Sequence, residues 1–194
     1  MDLESKSFSS LENVTFSPSD SFRACTFRSC HFEKTNFSRI AFSNCTFQSC
    51  TFSGVILKEA SFQEVKFVAC KIAGFNFSHC SQLSQEIEFV DSMLLYCLFI
   101  NINLRHFQFS KSVLENCELA NSDLKGMRFS ETSLRGSMFV LCDLTRADFR
   151  TAREYCFDPS KNKLEAAQFS LPECAALLLP FGCKVEGFGT SDEI

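Results

Sequence analysis

The chain has 194 residues, a net charge of −4 and 45% hydrophobic content, with 24 Phe, 2 Tyr and no Trp. That mild acidity argues against general nucleic-acid binding, which needs a basic stripe. So many Phe beside no Trp point to one core position used repeatedly, and the length suits a single domain or solenoid.

Residues 1–10 (MDLESKSFSS) are polar. They lack a basic n-region and an apolar h-region, so no signal peptide is expected, and the tail is expected to fray. Leu11 and Phe16 lie five apart, but Phe22 follows six later, around Ser17-Pro18-Ser19. Residues 1–20 therefore read as a tail plus an irregular first coil, or a cap with a proline turn.

From Ser21 the chain keeps strict time. Phe22, Phe27, Phe32, Phe37, Phe42, Phe47 and Phe52 recur every five residues, and Leu57, Phe62, Phe67, Ile72 and Phe77 continue the beat. A period of five suits neither regular element: on a helix it rotates about 500° per step, and on a flat strand it sends alternate Phe to opposite faces. The chain must turn about once per pentad, so four pentads close a square coil of about twenty residues. Stacked coils sit about 4.8 Å apart. The residue two before each centre also points inward and is mostly small: Cys25, Cys30, Thr35, Ile40, Cys45, Cys50, Val55, Ala60, Val65 and Cys70.

This period, bulky centre and small partner resemble the pentapeptide repeat family. The resemblance implies an all-β fold: a right-handed quadrilateral β-helix, here over residues 21–153, with a short C-terminal capping helix. Eight of the 12 Cys fall at the small inward position, which makes them packing thiols of a cytoplasmic protein rather than a disulfide scaffold.

Phe77 and Phe89 stand twelve apart rather than ten, so two residues are inserted within 78–88. This is either a tolerated surface insertion, or a joint or partner-contacting loop. The Qnr and McbG-type branch of the family also breaks its repeats between two blocks, although the second block here lacks the long loop of several Qnr proteins. That block runs through Leu94, Phe99, Leu104, Phe109, Leu114, Leu119, Leu124, Phe129, Leu134, Phe139, Leu144 and Phe149. Its longest apolar run, Met93–Ile100, is too short to span a membrane.

Residues 154–194 read as a turn, a capping helix and a dimerisation segment. Ser170 and Glu173 form the pattern of a capping box before a helix over about 171–181, and Gly182 suits its C-terminus. The helix is apolar beyond what one coil end can cover, so a homodimer is expected through Leu177, Leu178, Phe181, Val185 and Phe188.

There is no phosphate loop, no nucleophile elbow and no zinc signature, so neither enzymatic activity nor a metal or cofactor is expected. His31, His79 and His106 read as wall residues. The residues Phe109–Leu119 resemble those of gyrase-protecting members, which implies DNA gyrase or topoisomerase IV as partner through mimicry of duplex DNA. Glu86, Glu88, Asp91, Glu115, Glu118, Asp123, Asp143 and Asp148 are the candidate phosphate substitutes, Glu131 is a further acid of the same block, and Asp123 is expected directly over Asp143. Arg105, Lys125, Arg128, Arg135, Arg146 and Arg150 are interleaved with them. An interaction scaffold with an unrelated partner fits such a mixed wall equally well.

Overall fold

A computed structural model describes residues 2–12, 14–81 and 86–186. Short parallel strands, mostly of three residues, stack into four walls of a square coil. The first wall holds Asp2–Glu4, Ser21–Arg23, Ala41–Ser43 and Ser61–Gln63. The second runs from Ser7–Ser9 through Thr26–Arg28, Thr46–Gln48, Val65–Val68, Ile87–Val90 and Phe107–Ser110 to Phe129–Ser130. The third carries His31–Glu33, Thr51–Ser53, Lys71–Ala73, Met93–Leu95 and Val113–Glu115, and the fourth Leu98–Ile100, Glu118–Ala120 and Met138–Val140.

Each strand is one centre flanked by two wall residues, so alternation sends only the centre inside. The centres are fully buried, and those on one wall stack ring on ring: Phe27 on Phe47 at 4.7 Å and Phe47 on Phe67 at 5.0 Å. Such pairs contribute about 0.5–1.5 kcal/mol each beyond their burial. Many corners are made by a residue in the left-handed region, such as Asn44, Asn101 and Asn121 at φ of 53°, 56° and 48°, a conformation Asn tolerates better than most residues.

The small inward residue also satisfies backbone. Cys45 Sγ donates to the Phe22 and Ser43 carbonyls at 3.3 and 3.4 Å. Ser92 Oγ does the same with Phe67 and Val90 at 3.1 and 2.9 Å. A hydroxyl therefore replaces a thiol in this slot without leaving a polar group unpaired. All twelve cysteines are free.

Registers of twenty become twenty-two where Val65 meets Ile87 and Ile72 meets Leu94, yet the second and third walls continue unbroken. On the first wall Ser81 N–H bonds Ala60 O and Glu86 N–H bonds Phe62 O, which brackets the insertion between them.

Three expectations are corrected. The N-terminal residues do not fray: Leu3 pairs in register with Phe22 and Phe8 with Phe27. Leu3 and Phe8 are themselves five apart and pack on the core, a signal masked by their charged and hydroxyl neighbours. The coil also outlasts the beat. Bridges join Asp143 to Lys163 and Asp148 to Gln168, and Phe169 stacks on Phe149 at 5.2 Å. Leu164 and Phe169 follow Leu144 and Phe149 by twenty residues, so two walls persist after the others lose their centres.

The third correction concerns the start of the cap: the short helix is present, as a 3₁₀-helix over Glu173–Phe181, and begins two residues after the expected 171. No capping box forms, because the Ser170 hydroxyl donates to Arg150 O at 2.5 Å and Pro172 takes the N-cap position without a side-chain bond. Gly182 closes the helix as expected, at φ 74° with its N–H on Leu179 O.

Candidate functional surface

The interior is filled, so chemistry is left to the outer walls. Their best-defined feature is a short polar residue just before the centre. Asp123, Asp143 and Asp148 each accept, through Oδ1, the backbone N–H two residues later, from Lys125, Thr145 and Arg150 at 3.1, 3.2 and 3.0 Å. These bonds fix the carboxylates against the wall and satisfy a turn, the local role short polar side chains commonly play.

Asp123 does stand over Asp143, in a column that runs Asn103, Asp123, Asp143, Lys163 along the first wall. The column is not bare anion. Arg105 reaches Asp123 at 2.8 Å, while Lys125 and Lys163 reach Asp143 at 3.0 and 3.7 Å. Like-charge repulsion therefore does not govern Asp143. Partial burial pushes its carboxyl up, but hydrogen bonds from Thr145 and Lys125 and the lysine charge outweigh this and hold it at about 2. A hydrogen bond from Arg150 likewise holds Asp148 below the usual carboxylate range.

The remaining candidates are dispersed around the rod. Glu88 and Asp148 lie on the second wall, paired with Lys66 at 2.7 Å and Arg150 at 2.8 Å. Glu115 lies on the third wall, paired with Arg135 at 2.8 Å. Glu118 lies on the fourth wall, and Glu86 and Asp91 stand exposed at corners. Only Asp123 with Asp143, and Glu86 with Glu88, are brought together. The latter two border an open groove beside the register break, with Glu64, Lys66, Arg105 and His106. Sequence reasoning identified Arg105, Lys125, Arg135 and Arg150 but missed Lys66 and Lys163 as partners. The twenty-residue register, stretched to twenty-two across the break, would have paired them.

At the C-terminal end, Leu177 turns inward and packs on the core, whereas Leu178, Leu179 and Phe181 face out. Leu177 is thus a cap-to-coil contact, and Leu178 and Phe181 are the surface residues of that set. Val185 is half-buried, and Phe188 lies outside the described residues. His31 bonds Thr51 Oγ1 at 2.7 Å, the wall position expected of it. Among the described residues, no group of three or more His, Cys, Asp or Glu is placed to hold a metal ion, and no helix is long and apolar enough to cross a membrane.

Four stacked walls of short parallel strands around a filled Phe and Leu core define a right-handed quadrilateral β-helix. The chain belongs to the pentapeptide repeat family: the model of a pentapeptide repeat region matches residues 20–96, and that of pentapeptide repeats (8 copies) matches 97–136 and 112–150. Solved structures similar to it include a trypsin-treated form of QnrB1, a plasmid-mediated fluoroquinolone resistance protein, at 17% identity over 95% of this chain and 97% of that one, with a TM-score of 0.46. HetL, a pentapeptide repeat protein involved in heterocyst differentiation regulation in the cyanobacterium Nostoc, is similar at 15% identity over 87% and 82%, with a TM-score of 0.49. No curated protein matches the chain.

Proposed function

We propose that this chain is a non-enzymatic, cytoplasmic recognition rod that binds DNA gyrase or topoisomerase IV in place of duplex DNA and protects the enzyme from inhibitors such as quinolones or gyrase-poisoning peptides. The observation that carries the reading is the column of Asp123 over Asp143, fixed by backbone bonds on the wall of a filled rod. Duplex DNA presents one charge per about 1.7 Å of axis, and two carboxylates in successive coils on a stiff wall are a short protein counterpart. Their pairs with Arg105, Lys125 and Lys163 are surface pairs, which contribute about 0–1 kcal/mol each. A basic groove can therefore exchange with Arg105 on Asp123 at little cost, whereas at the more enclosed Asp143 it must match the hold of Lys125. We further propose that two subunits join through the C-terminal cap.

A supercoiling assay with gyrase, a quinolone and graded amounts of this protein tests the reading. Protection should appear and should weaken as salt rises, because such contacts are screened over about 8 Å at physiological strength. Asp123→Lys with Asp143→Lys should abolish it, while Glu59→Lys with Glu64→Lys should not. Absence of gyrase binding at low salt would defeat the proposal. Equal loss from both pairs would remove the column of Asp123 and Asp143 as the particular contact.

A further inference from the structure

The run Met93–Ile100 is neither a membrane segment nor a buried strand. It is two adjacent sides of one coil, folded around a corner, with Leu94, Cys97 and Phe99 buried and the residues between them on the outside. Met93, Leu95, Tyr96, Leu98 and Ile100 thus form an apolar belt across the third and fourth walls, with Tyr96 64% exposed. Two coils further along, the register sets Met138 and Val140 in line with Leu98 and Ile100, through Glu118 and Ala120. Leu141 follows at the corner, 69% exposed, and Met138 is 54% exposed. Wall positions elsewhere are mostly Ser, Thr, Asn, Lys and Glu, and clustered apolar groups of this exposure mark interaction sites.

We infer that this apolar patch of the third and fourth walls is a docking face for an amphipathic helix of a partner protein, one that brings a basic side chain to Glu118. Three observations choose this occupant. The backbone of these walls is bonded coil to coil, as in Met138 N–H to Cys117 O at 2.9 Å and Glu118 N–H to Cys97 O at 3.0 Å. No edge is therefore offered for strand addition, and the partner must bind through side chains. The three coils from Leu98 to Met138 span about 10 Å, close to the width of one helix. Finally, Glu118 sits between Leu98 and Met138 without an ion pair or side-chain hydrogen bond among the described residues. A second copy pairing the patch with itself about its centre would oppose two Glu118 carboxylates, whereas a cationic partner neutralises one. The inference does not depend on gyrase as the partner.

Two synthetic amphipathic helices of about eighteen residues, with a leucine face and either lysines or glutamates opposite, test this on the full chain by fluorescence anisotropy. The lysine peptide should bind about tenfold more tightly than the glutamate peptide, a difference of about 1.4 kcal/mol. Glu118→Lys should invert that order, and Tyr96→Ser with Met138→Ser should weaken lysine-peptide binding about tenfold. These are exposed positions, and unchanged melting curves would confirm intact coils. Equal affinity for both peptides, lysine-peptide binding indifferent to Tyr96→Ser with Met138→Ser, or self-association of the native chain lost in that variant would each overturn the inference, the last in favour of a second copy.

Discussion

Phe67 and Phe89 stack at 5.2 Å with their rings 12° from parallel, although they are twenty-two residues apart on a wall that repeats every twenty from Phe27 to Phe67 and from Phe89 to Phe129. The relationship shows where the register break is absorbed. The second wall carries Phe89 on to Phe109 at 5.2 Å and 5° as though nothing had been inserted. On the first wall, bonds to the coil before are made up to Ser81, on Ala60 O, and again from Glu86, on Phe62 O.

The insertion and the stack should therefore respond very differently to change. Deleting Leu83 and Ser84 restores the twenty-residue spacing and removes none of the stacked rings, and loop-length terms amount to a few tenths of a kcal/mol. Phe67→Ala empties a fully buried position and should cost about 3–5 kcal/mol. Chemical denaturation of both variants checks this. A deletion as damaging as Phe67→Ala would mean that the inserted residues are structural.

The repeat was legible because one physical constraint acts on every coil: the interior is too narrow for anything but a bulky centre and a small neighbour. The ends were less legible because that constraint fades there. Glu154 falls where a centre is due and is exposed, yet Phe169 still finds Phe149. The acidic candidates were legible as outward residues but not as a site. Which wall a residue reaches depends on counting coils through the break, and whether it is free depends on the cation one coil away, as with Glu88 and Lys66.

Asp143 should resist protonation. Its carboxyl is held at about 2, below the unfolded value of about 3.9. A group depressed in the folded state contributes stability that is present above the unfolded value and is lost as pH falls towards the folded one. The contribution should thus be intact at pH 5 and disappear between about pH 4 and 2. Asp143→Asn, which retains an acceptor for Thr145, should flatten the acid limb of the stability curve over that window. Resonances of Asp143 that titrate near 4 would show that Lys125 and Thr145 do not hold it.

Tyr155 offers a gain rather than a loss. It is buried beneath the cap against Phe149 and Phe169, and its hydroxyl has no hydrogen-bond partner among the described residues. Burial also pushes the phenol well above its ordinary range. An unsatisfied buried hydroxyl costs about 1–3 kcal/mol, and removing it keeps the ring contacts. Tyr155→Phe should raise the unfolding midpoint, by an amount corresponding to about 1 kcal/mol. A clear loss of stability would mean that the hydroxyl is satisfied in solution, by water or by a segment beyond residue 186.

The C-terminal cap separates two roles that its composition runs together. Leu177 packs on the last coil, and truncating it to Ala should cost about 2–5 kcal/mol as a core change. Leu178 and Phe181 face outward at 47% and 56% exposure and contribute little to the monomer's own packing. If two subunits meet at this end, Leu178→Glu with Phe181→Glu places uncompensated charge in the interface, a penalty of several kcal/mol. The doubly substituted chain should then be a folded monomer with an unchanged melting curve at high dilution. Leu177→Ala should instead lower the melting temperature at every concentration. Light scattering across a concentration series distinguishes these outcomes. A dimer that survives both glutamates would place the subunit contact elsewhere, and a native chain that is monomeric throughout would leave these side chains for another partner.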